Sequence, residues 1–350
     1  MKDWWIYKGD RSTDRLARLA AHQPPWRHYD GEIDEGYAVP SLDLDRYRAD
    51  RVRGVGYIAD EHETELVNSA LYLRRPLLVT GVPGVGKSTL AYSIAEDLGL
   101  GPVLRWSVTS RTTLRDGLYR YDAIRRLEDA NLRRLEEPGT GGSVAAPEEA
   151  PGTDVIGKYL QLGPLGTAFI PTGRPRVLLI DEIDKGDLDL PGDLLTVLDE
   201  GRFDIPELAR LAEHSPTITV GTDDENGRAR ITRGRVACRA FPIVVLTSNG
   251  EREFPPAFLR RCIRLTIADP SREKLLSIIE QRIGREAAEA ADGEDGVISA
   301  FLRRRATGSL ATDQLLNAIQ LRLAGAWTAP EELGRLTDAT MHTLSGPDAT

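Results

Sequence analysis

The sequence is short of cysteine, of positive charge and of long apolar runs, and each shortage removes a class of protein. Its two cysteines, Cys238 and Cys262, have no metal-ligand spacing and cannot make a disulfide framework, so a reducing cytoplasm is the expected compartment. No stretch approaches the roughly 18 to 20 apolar residues that a membrane span needs. The opening MKDWWIYKGD lacks the basic start, apolar stretch and small-residue cleavage site of a secretory leader. A net charge of -9 weighs against a general nucleic-acid binder, which carries a basic surplus to displace counterions. The sequence also lacks an internal repeat, and it lacks the Asn-Lys-x-Asp that reads guanine.

With 350 residues, 41% of them hydrophobic and 28% charged, the chain has the composition of a soluble globular protein of one large or two modest domains. Residues 1–52 are rich in Trp, Tyr, Arg and Asp without periodicity, and read as an extension on the main domain. HETELVNSALYLRR has apolar residues at helical spacing, and PLLVTG is a short apolar run stopped by Gly81, a buried strand. KSTLAYSIAEDLG reads as a helix closed by Gly99, VLRWSV as a second strand, and residues 121–137 as a charged helix. PGTGGSVAAPEEAPGTD, about 138–154, breaks all periodicity and reads as a flexible insertion.

VLLIDE (177–182) is then a continuous apolar strand ending in two acids, LPGDLLTVLDEG a helix, TITVGTDDENGRARIT a hairpin, and FPIVVLTSN another buried strand. After Pro270 every periodic segment is helical. The expected fold class is therefore α/β, a parallel sheet flanked by helices, spanning 53–269 and followed by a small all-helical portion over 270–350.

GVPGVGKS (81–88) carries the chemistry. It fits G-x-x-x-x-G-K-[ST], in which Gly81, Gly84 and Gly86 let the backbone wrap with its N–H groups inward, Lys87 reaches the β- and γ-phosphates, and Ser88 can hold Mg²⁺. The helix that begins there turns its positive end to the same phosphates. The candidate nucleotide-binding set is Gly81, Val82, Pro83, Gly84, Val85, Gly86, Lys87, Ser88 and Thr89, with Asp181. Asp181 closes an apolar strand beside the Mg²⁺ shell, and Glu182 can orient or deprotonate an attacking water. Asn249 ends a further strand, where an amide can contact the γ-phosphate. Arg260 and Arg261 follow in EREFPPAFLRRC, and an arginine offered to a neighbour's γ-phosphate stabilises the charge that develops there.

This order of parts resembles the AAA+ ATPases, and GVPGVGKS, LLIDEIDKGDLDLPGDLL and TSNGEREFPPAFLRRC are most similar to the MoxR-type branch. The resemblance runs from about Arg53 to Pro270. It implies Walker A at 81–88, Walker B at LLIDE, the sensor-1 position at Asn249 and a trans-acting arginine at Arg261 or Arg260. It further implies ATP and Mg²⁺ as cofactors, a homo-oligomeric, hexameric ring, a helical lid, and remodelling of a partner, such as a von Willebrand A-domain protein. A slow-hydrolysing switch that recruits an effector in a bacterial conflict or defence system is the alternative.

In that family KYLQLGPLGTAFIP and TITVGTDDENGRARIT occupy the places of protruding insertions. Tyr119 and Tyr121 stand where relatives grip substrate, although buried aromatics explain them equally. One departure is visible: GSLATDQLLNAIQ has no arginine where the lid usually offers one, and Arg303, Arg304 and Arg305 are the nearest substitutes.

Overall fold

In the computed structural model the described residues are 2–11, 15–136, 156–293, 296–306, 308, 310–326, 329 and 332–342. The expected insertion at 138–154 lies outside them. The described strands are β1 (Leu77–Thr80), β2 (Leu104–Ser107), β3 (Tyr119–Tyr121), β4 (Leu160–Leu162), β5 (Val177–Asp181), β6 (Arg202–Asp204), β7 (Thr217–Gly221), β8 (Arg228–Thr232), β9 (Arg235–Ala237), β10 (Ile243–Ser248) and β11 (Ile263–Thr266).

Five of them form an all-parallel sheet in the order β11-β1-β10-β5-β2. Continuous apolar runs are what a parallel sheet covered on both faces requires. Leu77, Val79, Val177, Leu179, Val245 and Leu265 point to one side, where they pack with Leu90, Ile94 and Leu98 of the helix Lys87–Leu98. Leu78, Leu178, Ile180, Val244 and Leu246 point to the other. Residues alternate sides because successive side chains of a strand leave opposite faces.

On that second side the helix Pro164–Ala168 packs against β2 and β5, and a mixed sheet of order β3-β4-β7-β8-β9-β6, with the β7–β8 hairpin read from sequence at its centre, shares the same core. KYLQLGPLGTAFIP does not stand out from the surface. Leu160, Leu162, Leu165, Phe169 and Ile170 are all buried in the main core, which closes over them. Tyr119 is buried too and its hydroxyl donates to Glu207 at 2.9 Å, while Tyr121 accepts from Arg126, so the pair serves packing rather than an open gripping loop.

Residues before 53 are fastened to the core both by single side chains and by a packed helix. Asn68, fully buried, accepts from the backbone N–H of Ile6 and Tyr7 and donates to the Tyr7 carbonyl, and Asp97 accepts from those of Lys8 and Arg11. Buried Arg176 forks onto both oxygens of Asp224 at 2.9 Å and donates to the Tyr37 hydroxyl. A helix, Arg48–Val55, runs through the 52–53 junction and packs on Lys87–Leu98. After β11 the chain forms helices with their own core of Leu275, Ile279, Ile298, Phe301, Leu315 and Leu336. Among the described residues no helix is long and apolar enough to cross a membrane.

Candidate functional site

The strands deliver their chemistry at one end of the sheet. β1 runs into the glycine-rich loop, β5 ends in Asp181, and β10, lying between them, ends just before Asn249. Parallel order with this middle strand brings three segments far apart in sequence to one crevice.

The loop needs glycine where its backbone is left-handed. Gly84 has φ +78°, and a Cβ there would fall 2.1 Å from the Cβ of Ala311, at the start of the helix Thr312–Leu323. Gly86 has φ +99° and a Cβ would press on the Tyr57 ring at 3.2 Å. The loop therefore sits between a tyrosine from the segment before the first core helix and the N-terminus of a helix in the C-terminal bundle. Lys87 is buried and its Nζ donates to the carbonyls of Gly81 at 2.7 Å and Val82 at 3.0 Å. Burial lowers its pKa from the usual lysine value, against the opposing pull of Asp184, Asp181 and Glu182. Val82 is exposed on the loop's outer turn, and Thr89 faces the adjoining cavity.

Asp181 is the most constrained acid of the crevice. Its Oδ1 accepts from Ser88 Oγ at 2.6 Å and Thr247 Oγ1 at 2.7 Å, and its Oδ2 accepts from Arg105 Nη2 at 2.8 Å. Burial alone would raise this carboxyl, but the three donors outweigh it and hold the pKa below the usual aspartate value. Glu182 stands next to it with φ +60°, its N–H held by Thr247 Oγ1 and its carboxylate on Lys185 Nζ at 2.9 Å. Asn249 is half-buried, and its backbone N–H is held by Asp184, which also takes the N–H of Glu251.

A cavity of about 270 Å³ opens beside the loop. Tyr57, Ile58, Ile267, Pro270, Ile278 and Leu316 supply its apolar walls, while Gly84, Val85, Gly86 and Thr89 form its rim on the side of the loop. An apolar slot beside a glycine-rich loop suits a planar base with a phosphate chain. Sequence reasoning missed Tyr57 and Ile58, whose signal was their place just before the helix start capped by Asp60.

The sequence model of one protein family, described as AAA domain (dynein-related subfamily), matches residues 76–262. The chain belongs to the AAA ATPases. No curated protein matches it. ATP binding and hydrolysis are the activities an AAA domain supports, and the parallel sheet followed by C-terminal helices is the architecture of the domain.

Other residues singled out in the AAA sequence lie elsewhere. Arg260 and Arg261 close the short helix Pro256–Leu259, where Arg75 donates to the Arg260 carbonyl and the Ile263 N–H donates to the Pro76 carbonyl. They thus lie at the N-terminal end of β1, about 16 Å along the strand from Gly81 by ordinary strand rise. Arg261 is occupied: its Nε donates to Asp199 Oδ2 at 2.7 Å, and Asp199 is also paired with Arg27. Arg260 is exposed, and among the described residues its guanidinium has no hydrogen bond or ion pair. Arg304 pairs with Asp338, and Arg305 donates to the Pro270 carbonyl and lies over the Phe301 ring. Neither they nor Arg303 line the cavity, whose helix-bundle wall offers Lys274, Arg282, Thr312 and Asp313 instead.

Proposed function

We propose that this chain is a MoxR-type AAA+ ATPase that assembles into a ring, hexamer favoured, and couples ATP turnover to remodelling of a partner protein. The observation that carries the ring is Arg260. Its guanidinium, exposed and without a partner among the described residues, stands at the end of β1 opposite the glycine-rich loop, too far to serve that loop, which supports a role toward a neighbour's. The family resemblance makes a von Willebrand A-domain protein the favoured partner.

In this reading Gly81, Val82, Pro83, Gly84, Val85, Gly86, Lys87, Ser88 and Thr89 bind ATP. The Ser88 hydroxyl and the Asp181 carboxylate are hard oxygen donors in mutual contact, a fit for Mg²⁺, which completes its shell on nucleotide oxygens and water rather than in an all-protein cage. When bound, Mg²⁺ neutralises charge on the β- and γ-phosphate oxygens. Glu182 is the base that takes the proton of the attacking water, and Asn249 orients that water or the γ-phosphate. Tyr57 and Ile58 flank the adenine.

Lys87→Ala is expected to weaken ATP binding by about 100-fold or more, since the ammonium makes charge-assisted bonds each worth about 1.5–3 kcal/mol. Titration calorimetry with a slowly hydrolysed ATP analogue checks this, and affinity retained within tenfold of wild type would refute the phosphate assignment. The ring itself is tested by light scattering with and without the same analogue. Nucleotide should shift the chain from a small species to a ring; one unchanging monomer under both conditions would sink the assembly reading.

A specific feature favours a second reading, the slow switch that recruits an effector. The cations that line the cavity from the bundle side among the described residues are already engaged, Lys274 with Glu63 and Arg282 with the carbonyls of Val52 and Arg53, so neither is offered to a γ-phosphate. Slow turnover with tight, long-lived nucleotide would mark that alternative.

A further inference from the structure

β2 is one of the two outer strands of the parallel sheet, and its Arg105 reaches Asp181 of β5, two residues beyond its register partner Leu179. The contact between them is lopsided. Asp181 is 9% exposed and fixed on its other oxygen by Ser88 and Thr247, whereas Arg105 is 50% exposed. Among the described residues Arg105 makes no other hydrogen bond or ion pair. One partner is anchored, while the other has one hydrogen bond and a longer-range attraction to Asp50.

A buried carboxylate needs a cation, and Asp181 has two claimants. Arg105 satisfies it from the edge strand, and a divalent ion beside Ser88 satisfies it better, being smaller and doubly charged. Both cannot hold the carboxylate with full strength, because two cations at one carboxylate repel each other. We propose that Arg105 is a displaceable counter-ion of Asp181. It holds the carboxylate in place while the metal is absent, competes with Mg²⁺ for it, and thereby sets the Mg²⁺ concentration at which the site fills. Arg105 is thus a positioning residue that acts through Asp181. The inference rests on the assignment of Asp181 to the metal.

The test uses the full chain and ADP, so that no turnover is involved. Binding of a fluorescent ADP analogue is followed while Mg²⁺ is titrated, with direct binding of Mn²⁺ to the ADP complex by electron paramagnetic resonance as the second readout. Arg105→Met should lower the half-saturating metal concentration about threefold to tenfold, the range spanned by exposed to partly buried charge pairs. Arg105→Lys, which keeps the charge but loses the planar fork, should fall between Met and wild type.

A merely structural role predicts the opposite sign, with a weakened Asp181 demanding more metal. A half-saturation that rises or stays put in Arg105→Met overturns the inference. Thermal unfolding without metal identifies any variant that fails to fold, in which case Arg105→Lys carries the comparison. Asp181→Asn separates the two claims, because it should raise the metal requirement at least about tenfold, a loss of one charge-assisted contact. If Asp181→Asn leaves the metal dependence unchanged, the metal assignment falls and the inference with it. If it raises the requirement while Arg105→Met does not lower it, the counter-ion inference falls alone.

Discussion

Arg260→Ala is expected to cut ATP turnover by about 10³-fold or more, the scale on which a trans arginine acts in phosphoryl transfer, with little change in nucleotide affinity. Arg261→Ala should do far less to the chemical step. The two differ although they are neighbours in sequence. Arg261 is spent on Asp199, which Arg27 grips from the other side, so it anchors the turn. Arg260 leaves that anchored turn with its guanidinium in solvent. A planar fork held at its base and free at its tip is what a neighbour's phosphate can use.

Mixing provides the decisive measurement. Arg260→Ala subunits keep an intact phosphate loop, and Lys87→Ala subunits keep Arg260. Random co-assembly should complete about a quarter of the head-to-tail interfaces and restore turnover that neither variant has alone. Zero turnover at every ratio would sink action in trans. If Arg261→Ala proves the silent partner of such a mixture and Arg260→Ala does not, the assignment of roles is reversed.

Much of this site is legible in the sequence, and the reason is physical. Phosphate wrapping demands glycine at fixed spacing, and a strand buried on both faces demands an unbroken apolar run, so GVPGVGKS, VLLIDE and FPIVVLTSN declare themselves locally. What escaped depends on pairing. β11 reads Ile-Arg-Leu-Thr with polar residues in alternate places, and only its register with β1 makes it an outer strand of the sheet. β3, β4, β6 and β9 are three residues each, too short for a period to show. Several of the described residues before 48 are held by Asn68, Asp97 and Arg176, single side chains with no pattern to read. Arg105 is likewise one arginine in an alternating strand, and Asp181 becomes its partner only through the parallel register of β2 and β5.

Glu182→Gln should lower turnover by about 10²- to 10⁴-fold, the usual span for a lost general base, while ATP stays bound. The geometry separates this residue from Asp181, although they are adjacent. A single hydroxyl, Thr247 Oγ1, donates to Asp181 and accepts the Glu182 N–H, so one residue of β10 sets both acids at the end of β5. Glu182 takes a left-handed backbone, φ +60°, which is strained for a side chain of its kind. That carboxylate now rests on Lys185, and a half-exposed pair of this sort holds weakly, so it can leave for a water in the crevice. Gln keeps the size and the backbone and removes the base. Rapid-quench single-turnover experiments, with retained ATP measured by filter binding, read the two effects apart. Chemistry within threefold of wild type would take Glu182 out of the catalytic role, whereas lost ATP binding would show that it serves the nucleotide rather than the water.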